Sequence, residues 1–235
     1  MADYPAALPH GPLVEVFPDI YVVRGTVRFM PAFSITRNMT IVRQGGELTL
    51  INSVRLTPEG EAELAKLGTP RHVVRIGSFH GMDDPYWKAQ GLTYWGLASA
   101  PLADGTAPDR DLAPGVELPI AGAELFSFER GVEKAILLPA QGGVLITCDS
   151  VQNWTDFAGC STLGRLFMKQ VGFGGRAQIG PMWKKRLEGK QKGSLRPDFE
   201  RLRTLTFRHV LSGHGDPLLE TADDDLRTQM GKTFG

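Results

Sequence analysis

Short stretches in which apolar and polar residues alternate fill the first 55 positions: Leu13 to Phe17, Ile20 to Arg24, Thr26 to Ala32, Met39 to Arg43 and Glu47 to Ile51. Period-two alternation rich in β-branched and aromatic residues is the pattern of half-buried strands, and Gly45-Gly46 supplies hairpin chemistry between the last two. The opening therefore predicts an antiparallel meander. The period changes at Thr57-Pro58-Glu59-Gly60-Glu61, where Thr57 reads as an N-cap, Pro58 as the first helical position, and Leu64 and Leu67 as one apolar face that ends at Gly68. The apolar run Val73 to Ile76 follows as a buried strand. Strand, helix, strand in that order favours a crossover and parallel pairing.

Beyond it, Asp83-Asp84-Pro85 predicts a second helix start leading into Tyr86 to Gln90, then a strand over Tyr94 to Ala98 and a Pro-, Asp- and Gly-rich surface loop from Pro101 to Gly115. Strands resume at Leu118 to Ile120, Glu124 to Glu129, Ala135 to Pro139 and Val144 to Cys148, the last two flanking the Gly142-Gly143 turn. The remainder has helical spacing over Leu163 to Val171, Pro181 to Leu187, Pro197 to Leu205 and Leu219 to Met230, interrupted by a short strand at His209 to Leu211. Two packed sheets flanked by helices, an α/β arrangement in one domain spanning 1–235, account for this order.

Composition narrows the function classes. Lys+Arg and Asp+Glu both number 26, so no net charge draws the chain to nucleic acid or to an anionic membrane. The basic run Lys184-Lys185-Arg186 with Lys190 and Lys192 reads as a solvated helix face. Cys148 and Cys160, twelve residues apart, fit neither a redox pair nor a zinc knuckle and are expected as buried free thiols. The start, MADYPAALPHGP, lacks the basic and apolar regions of a secretory leader, and no apolar stretch reaches membrane-spanning length, so a cytoplasmic location is expected.

Three candidates share a placement. His80 with Asp83 and Asp84, Asp149, and His214 each follow an apolar strand, and clefts in α/β sheets open beyond the carboxyl ends of strands. Imidazoles and carboxylates gathered there suit a divalent metal, with Asp84 as a candidate general base. The structural alternatives are as concrete. Asp83 or Asp84 can cap the helix that Pro85 opens, Asp149 can close an Asx turn, and His214 can be a surface imidazole between two turn glycines. His72 and His209 fall at the opposite strand ends and His10 in the tail, so these are expected to be structural or exposed. Gly172-Phe173-Gly174-Gly175 lacks the GK[ST] ending of a phosphate loop, and Ser212 has no GxSxG elbow. Tyr86, Trp87 and Trp154 lie near the candidates as an apolar wall or as core.

From about Ile20 to Leu218 the order of these elements resembles the metallo-β-lactamase superfamily, which implies a four-layer αββα sandwich of two mixed sheets flanked by helices. That family carries an HxHxDH motif, a further His, an Asp after an apolar strand and a final His; here Phe79 to Pro85, Asp149 and Gly213-His214-Gly215 fall in that order. Leu48 to Ser53 followed by Thr57 to Gly68 is similar to its strand and first helix, with Asn52 where an Asp is usual. The motif is reduced. With His80 as the first His, Met82, Asp84 and Pro85 take the remaining places; with His80 as the second, Ser78, Met82 and Asp83 do. For the middle His, Gly131 to Lys134 offers only Glu133. The resemblance thus implies a hydrolase-like site with one divalent metal, Zn, Fe(II) or Mn(II), held by His80, Asp83, Asp149 and His214, acting on a small molecule. A fold that has lost its metal and only binds a ligand, and an iron oxidoreductase on the same scaffold, stand as alternatives.

Overall fold

The computed structural model describes residues 4–130 and 132–235, so the opening Met1 to Asp3 and Gly131 lie outside the described residues. Four strands open the chain: β1 (Leu13–Phe17), β2 (Ile20–Met30), β3 (Phe33–Gln44) and β4 (Glu47–Ile51). They pair in sequence order, each antiparallel to the next. Helix α1 (Pro58–Leu67) then returns the chain to β5 (Thr69–Val74), which runs parallel to β4, and α2 (Asp84–Ala89) leads to β6 (Thr93–Gly96) and the short β7 (Arg110–Asp111), both parallel additions. The first sheet is therefore seven-stranded and mixed. As expected, Thr57 caps α1 by accepting from the Gly60 amide at 3.3 Å.

A second sheet is built from β8 (Glu124–Ser127), β9 (Lys134–Leu138) and β10 (Val144–Thr147), antiparallel in that order. Between β10 and its last strand the chain makes β11 (Val151–Trp154), α3 (Thr162–Gln170), β12 (Gly175–Ile179), α4 (Pro181–Glu188) and α5 (Arg196–Leu202). It then adds β13 (His209–Ser212) parallel to β10 and closes with α6 (Ala222–Phe234). Strands β11 and β12 form a separate antiparallel ribbon.

Alternation along the strands sorts the apolar side chains into layers. Ile20, Val22, Val42, Ile51 and Val74 of the first sheet meet Ile136, Leu138, Val144, Ile146 and Leu211 of the second in the central core. The intervening residues of the same strands point outward. Tyr21, Val23, Leu48, Leu50 and Val73 pack under Leu64 of α1 and Trp87 of α2, while Leu137, Leu145 and Val210 pack under Trp183, Phe199, Leu202 and Leu226 of α4, α5 and α6. Helix, sheet, sheet, helix is the four-layer order expected from the sequence.

Several boundaries differ from the sequence reading. The segment between Ala32 and Met39 is not a connection but the first half of β3, whose Thr36, Arg37 and Asn38 are buried polar residues that break the apolar pattern. Leu118 to Ile120 is irregular backbone with a bend rather than a strand, although Leu118 and Ile120 still fill the central core. Strands β11 and β12 went unpredicted, because Val151–Trp154 and Gly175–Ile179 are too short and too polar to show a period. The last helix starts at Ala222, not Leu219. No helix among the described residues is long and apolar enough to cross a membrane.

Candidate metal centre

Three loops converge where the two sheets meet. The first leaves β5 and carries His80; the second leaves β10 and carries Asp149; the third leaves β13 and carries His214. His80 Nε2 lies 2.9 Å from His214 Nε2, and Asp149 Oδ1 lies 3.3 Å from His214 Nε2 and 3.6 Å from His80 Nε2. Ligand atoms held tetrahedrally about 2.0–2.1 Å from a zinc ion stand roughly 3.3 Å apart, so this triangle has the size of a coordination shell. The donor set, two imidazoles and a carboxylate, is chemically fit for a divalent cation. All three residues are largely shielded from water, His80 at 6 % exposure and His214 at 9 %.

Each donor is aimed by its surroundings. His214 Nδ1 donates to the Thr36 carbonyl of β3 at 2.7 Å, which leaves its Nε2 lone pair directed at the triangle. Trp154 of β11 stacks on the same ring, centroids 6.0 Å apart and planes 24° from parallel. Asn38 of β3 donates to the Ser212 and Gly215 carbonyls, and Asn52, just past β4, donates to the Thr147 carbonyl. Ser212 Oγ donates to the Cys148 carbonyl at 3.0 Å. The His214 turn passes so close to its neighbours that a Cβ on Gly213 would stand 3.1 Å from His80 Cε1. His80 is held differently: its Nδ1 is buried without a partner among the described residues, and its loop is fixed where it runs into α2 instead.

That fixing is done by Asp83 and Asp84, which sequence reasoning expected at the metal and in proton transfer. The structure does not bring them into the triangle. Asp83 takes the N-cap position of α2 but makes no capping bond; its carboxylate pairs with the buried Arg37 guanidinium and accepts from the Arg55 amide at 2.6 Å. Asp84, fully buried, accepts from Ser53 Oγ at 2.6 Å and lies 3.6 Å from Arg75 Nε. With their oxygens turned to these partners, the two acids serve as anchors of the His80 loop.

Electrostatics follow from this packing. Burial pushes the His80 imidazole below its ordinary range, against the pull of Asp149, so the ring offers a lone pair at neutral pH. Burial would raise Asp149, yet the two imidazoles hold its carboxyl well below the usual carboxylate range. Burial pushes the Cys148 thiol up, as expected of an inert buried sulfur, and Cys160 is likewise buried and unpaired. Glu133 sits next to the triangle, its carboxyl raised to about 8 by burial and by Asp149 while hydrogen bonds from Ser150 and Cys148 pull against that. Together with Cys148 and Asp149 it forms a second group of close donor atoms.

Of the aromatic residues singled out in the sequence, Trp154 lies against the site; Trp87 is core and donates to the Val54 carbonyl, and Tyr86 packs beside it. His209 is structural, bonded to the Gln141 carbonyl and the Glu220 amide, and His72 accepts from the Trp95 indole. Missed by sequence reasoning were Thr36, Arg37 and Asn38. Their signal was available in one form: three consecutive polar residues flanked by Ile35 and Met39, in a stretch otherwise suited to a strand.

No family model matches the chain, and no curated protein matches it in sequence. Solved structures do. The metallo-β-lactamase FIM-1 from Pseudomonas aeruginosa, in its mono-zinc form, superposes with a TM-score of 0.66 at 12% identity over 97% of each chain. The DIM-1 metallo-β-lactamase exposed to ceftazidime gives 0.62 at 14% over 97% of this chain and 99% of that one. A metallo-β-lactamase from Hirschia baltica gives 0.61 at 12% over 93% and 98%. At such identities the likeness speaks for architecture, and with the four layers and the two mixed sheets it leads to one conclusion: this chain has the metallo-β-lactamase fold.

Proposed function

We propose that the protein is a metal-dependent hydrolase with a single divalent cation held by His80, Asp149 and His214. The observation that carries this reading is the triangle itself: three donor atoms from three separate loops within 2.9–3.6 Å of one another, shielded from water, with burial holding the His80 imidazole below its ordinary range. Bound there, a divalent cation supplies Lewis-acid chemistry, acidifying water and polarising a substrate oxygen. The chain's own residues do the rest. Thr36 fixes the His214 tautomer, Trp154 covers that ring and excludes water from one side, and Asp149 contributes the negative charge. Asp83 and Asp84 act at one remove, by holding the loop that presents His80. Zinc is the first candidate for the cation, since FIM-1, solved in a mono-zinc form, shares the fold.

A second reading has an observation of its own. The 2.9 Å contact between His80 Nε2 and His214 Nε2 is also a direct hydrogen bond, by which the two rings satisfy each other with no cation between them. This would suit a protein that keeps the fold for binding alone.

Metal analysis separates the two. Purified without chelator, the wild type is expected to carry about one divalent ion per chain, and His80→Ala with His214→Ala to carry almost none while remaining folded. Equal and negligible metal in both proteins would remove the hydrolase reading and leave the binding one.

A further inference from the structure

Glu133 is the buried group for which the site's chemistry has no use. It is 1 % exposed, yet its carboxyl group accepts four hydrogen bonds. One oxygen, Oε1, accepts from the Cys148 amide at 3.1 Å, the Ser150 amide at 3.0 Å and the Ser150 hydroxyl at 2.5 Å, while Oε2 accepts from the Asp149 amide at 3.0 Å. Three consecutive backbone N–H groups thus close on one side chain, and the middle one belongs to the proposed ligand Asp149. These four hydrogen bonds commit Glu133 to the turn from Cys148 to Ser150, while Oε2, with a single donor, stays close to the Cys148 and Asp149 donor atoms.

The backbone of the same residue faces the other sheet. Glu133 forms an isolated antiparallel bridge with Gly77, and the following residue, Lys134, donates its amide to the Ile76 carbonyl at 2.7 Å. Ile76 and Gly77 are the first residues of the loop that delivers His80. The joint is tight: a Cβ on Gly77 would collide with the Cys148 sulfur and reach within 4.0 Å of Glu133 Oε2. One residue therefore grips the Asp149 turn with its side chain and the His80 loop with its main chain. Elsewhere these two segments descend from different sheets.

We infer that Glu133 is a positioning residue that sets the spacing between His80 and Asp149. The inference rests on the metal-site reading, and it states how a triangle assembled from two sheets keeps its dimensions. Hydrogen-bonding partners that orient ligands in this way typically change metal affinity about 10- to 100-fold when removed.

The test substitutes Glu133→Gln, which keeps the shape but turns an amide NH2 toward backbone donors. In metal-free crystals the distance from His80 Nε2 to Asp149 Oδ1, 3.6 Å in the wild type, is expected to change by more than about 0.5 Å. The Co(II) dissociation constant is expected to rise at least about tenfold, with a shifted visible d–d spectrum. Leu145→Ala is the control, since Leu145 points from β10 into the helix-covered core and its loss should lower stability without moving the cobalt spectrum. Wild-type spacing and spectrum in folded Glu133→Gln would overturn the inference, as would an equal spectral shift in Leu145→Ala. If Glu133→Gln does not fold, Ser150→Ala removes the hydroxyl donor alone: a several-fold weaker cobalt affinity supports the assignment and an unchanged one overturns it. A wild type that binds no cobalt sinks the metal reading by itself, and the spacing in metal-free crystals of the two proteins then decides the role of Glu133.

Discussion

The two sides of the site are anchored by different physics. On the first sheet, the His80 loop is held by charge: Arg37 of β3 pairs with Asp83, and Arg75, just past β5, faces Asp84, with all four side chains almost wholly buried. On the second sheet, the turns carrying Asp149 and His214 are tied mainly by neutral donors, the Asn38 and Asn52 amides and the Ser212 hydroxyl, with Glu133 as a buried ionisable clamp and the Arg24–Asp216 pair only at the partly exposed rim. A buried ion pair is strong only while both partners remain, because either charge left alone in a dry interior is costly. Neutral ties fail one at a time. The difference predicts a brittle His80 side and a redundant His214 side.

The largest expected effect comes from breaking the Arg37–Asp83 pair from one end. Arg37→Met leaves the Asp83 carboxylate with only the Arg55 amide for a partner, and is expected to lower unfolding free energy by roughly 3–5 kcal/mol in urea titrations at neutral pH. Adding Asp83→Asn removes the stranded charge and should restore most of that loss. A single Arg37→Met variant within about 1 kcal/mol of wild type would mean that the loop is held by something other than charge.

How much of this asymmetry was legible in the sequence depends on which residues carried it. The architecture was legible because β2, β4, β5, β9 and β10 alternate or run apolar in the way that two buried faces demand. His80, Asp149 and His214 were legible because each comes within a few residues of the end of such a run. Asp83 and Asp84 looked equivalent to them in the sequence. What turned these two carboxylates away was a pair of arginines, one of them 46 residues distant in the chain, and one-dimensional spacing does not show such a partner. Arg37 and Asn38 were obscured by their own polarity, since a buried polar pair inside a strand reads as a loop until the groups it satisfies are known. In the sequence Glu133 reads only as a substitute ligand, because nothing there reveals that three consecutive amides close on one side chain.

A second, smaller effect sharpens the contrast through pH. Burial, with Asp83 adding to it, raises the Asp84 carboxyl from 3.8 to about 6, although Ser53 and Arg75 pull the other way. The folded state thus holds this proton more tightly than the unfolded chain. The stabilisation from that proton is fully present below about pH 4 and is lost as pH rises through about 6. Asp84→Asn cannot lose it. The stability difference between wild type and Asp84→Asn should therefore change by about 2–3 kcal/mol between pH 4 and pH 7, read from urea midpoints across that range. A pH-independent difference would show that Asp84 stays ionised beside Arg75 throughout.

The smallest effect is expected on the neutral side, at the bond that joins the two turns directly. Ser212 Oγ donates to the Cys148 carbonyl at 3.0 Å and accepts from the His214 amide at 3.3 Å, so Ser212→Ala deletes both ties in one step. Others survive it, among them the Gly213 amide on the Thr147 carbonyl at 3.0 Å, the Asn38 amide on the Gly213 carbonyl at 2.8 Å, the Asn38 side chain on the Gly215 carbonyl at 2.7 Å, and the Asn52 side chain on the Thr147 carbonyl at 3.2 Å. None of these carries a charge that its neighbour's removal would strand. The expected cost is then that of an ordinary neutral hydrogen bond, about 1 kcal/mol in urea unfolding, with Co(II) affinity changed by less than about threefold in equilibrium titration. A loss matching that of Arg37→Met would erase the distinction between the two anchorages, because it would show that the His214 turn, too, hangs on a single contact.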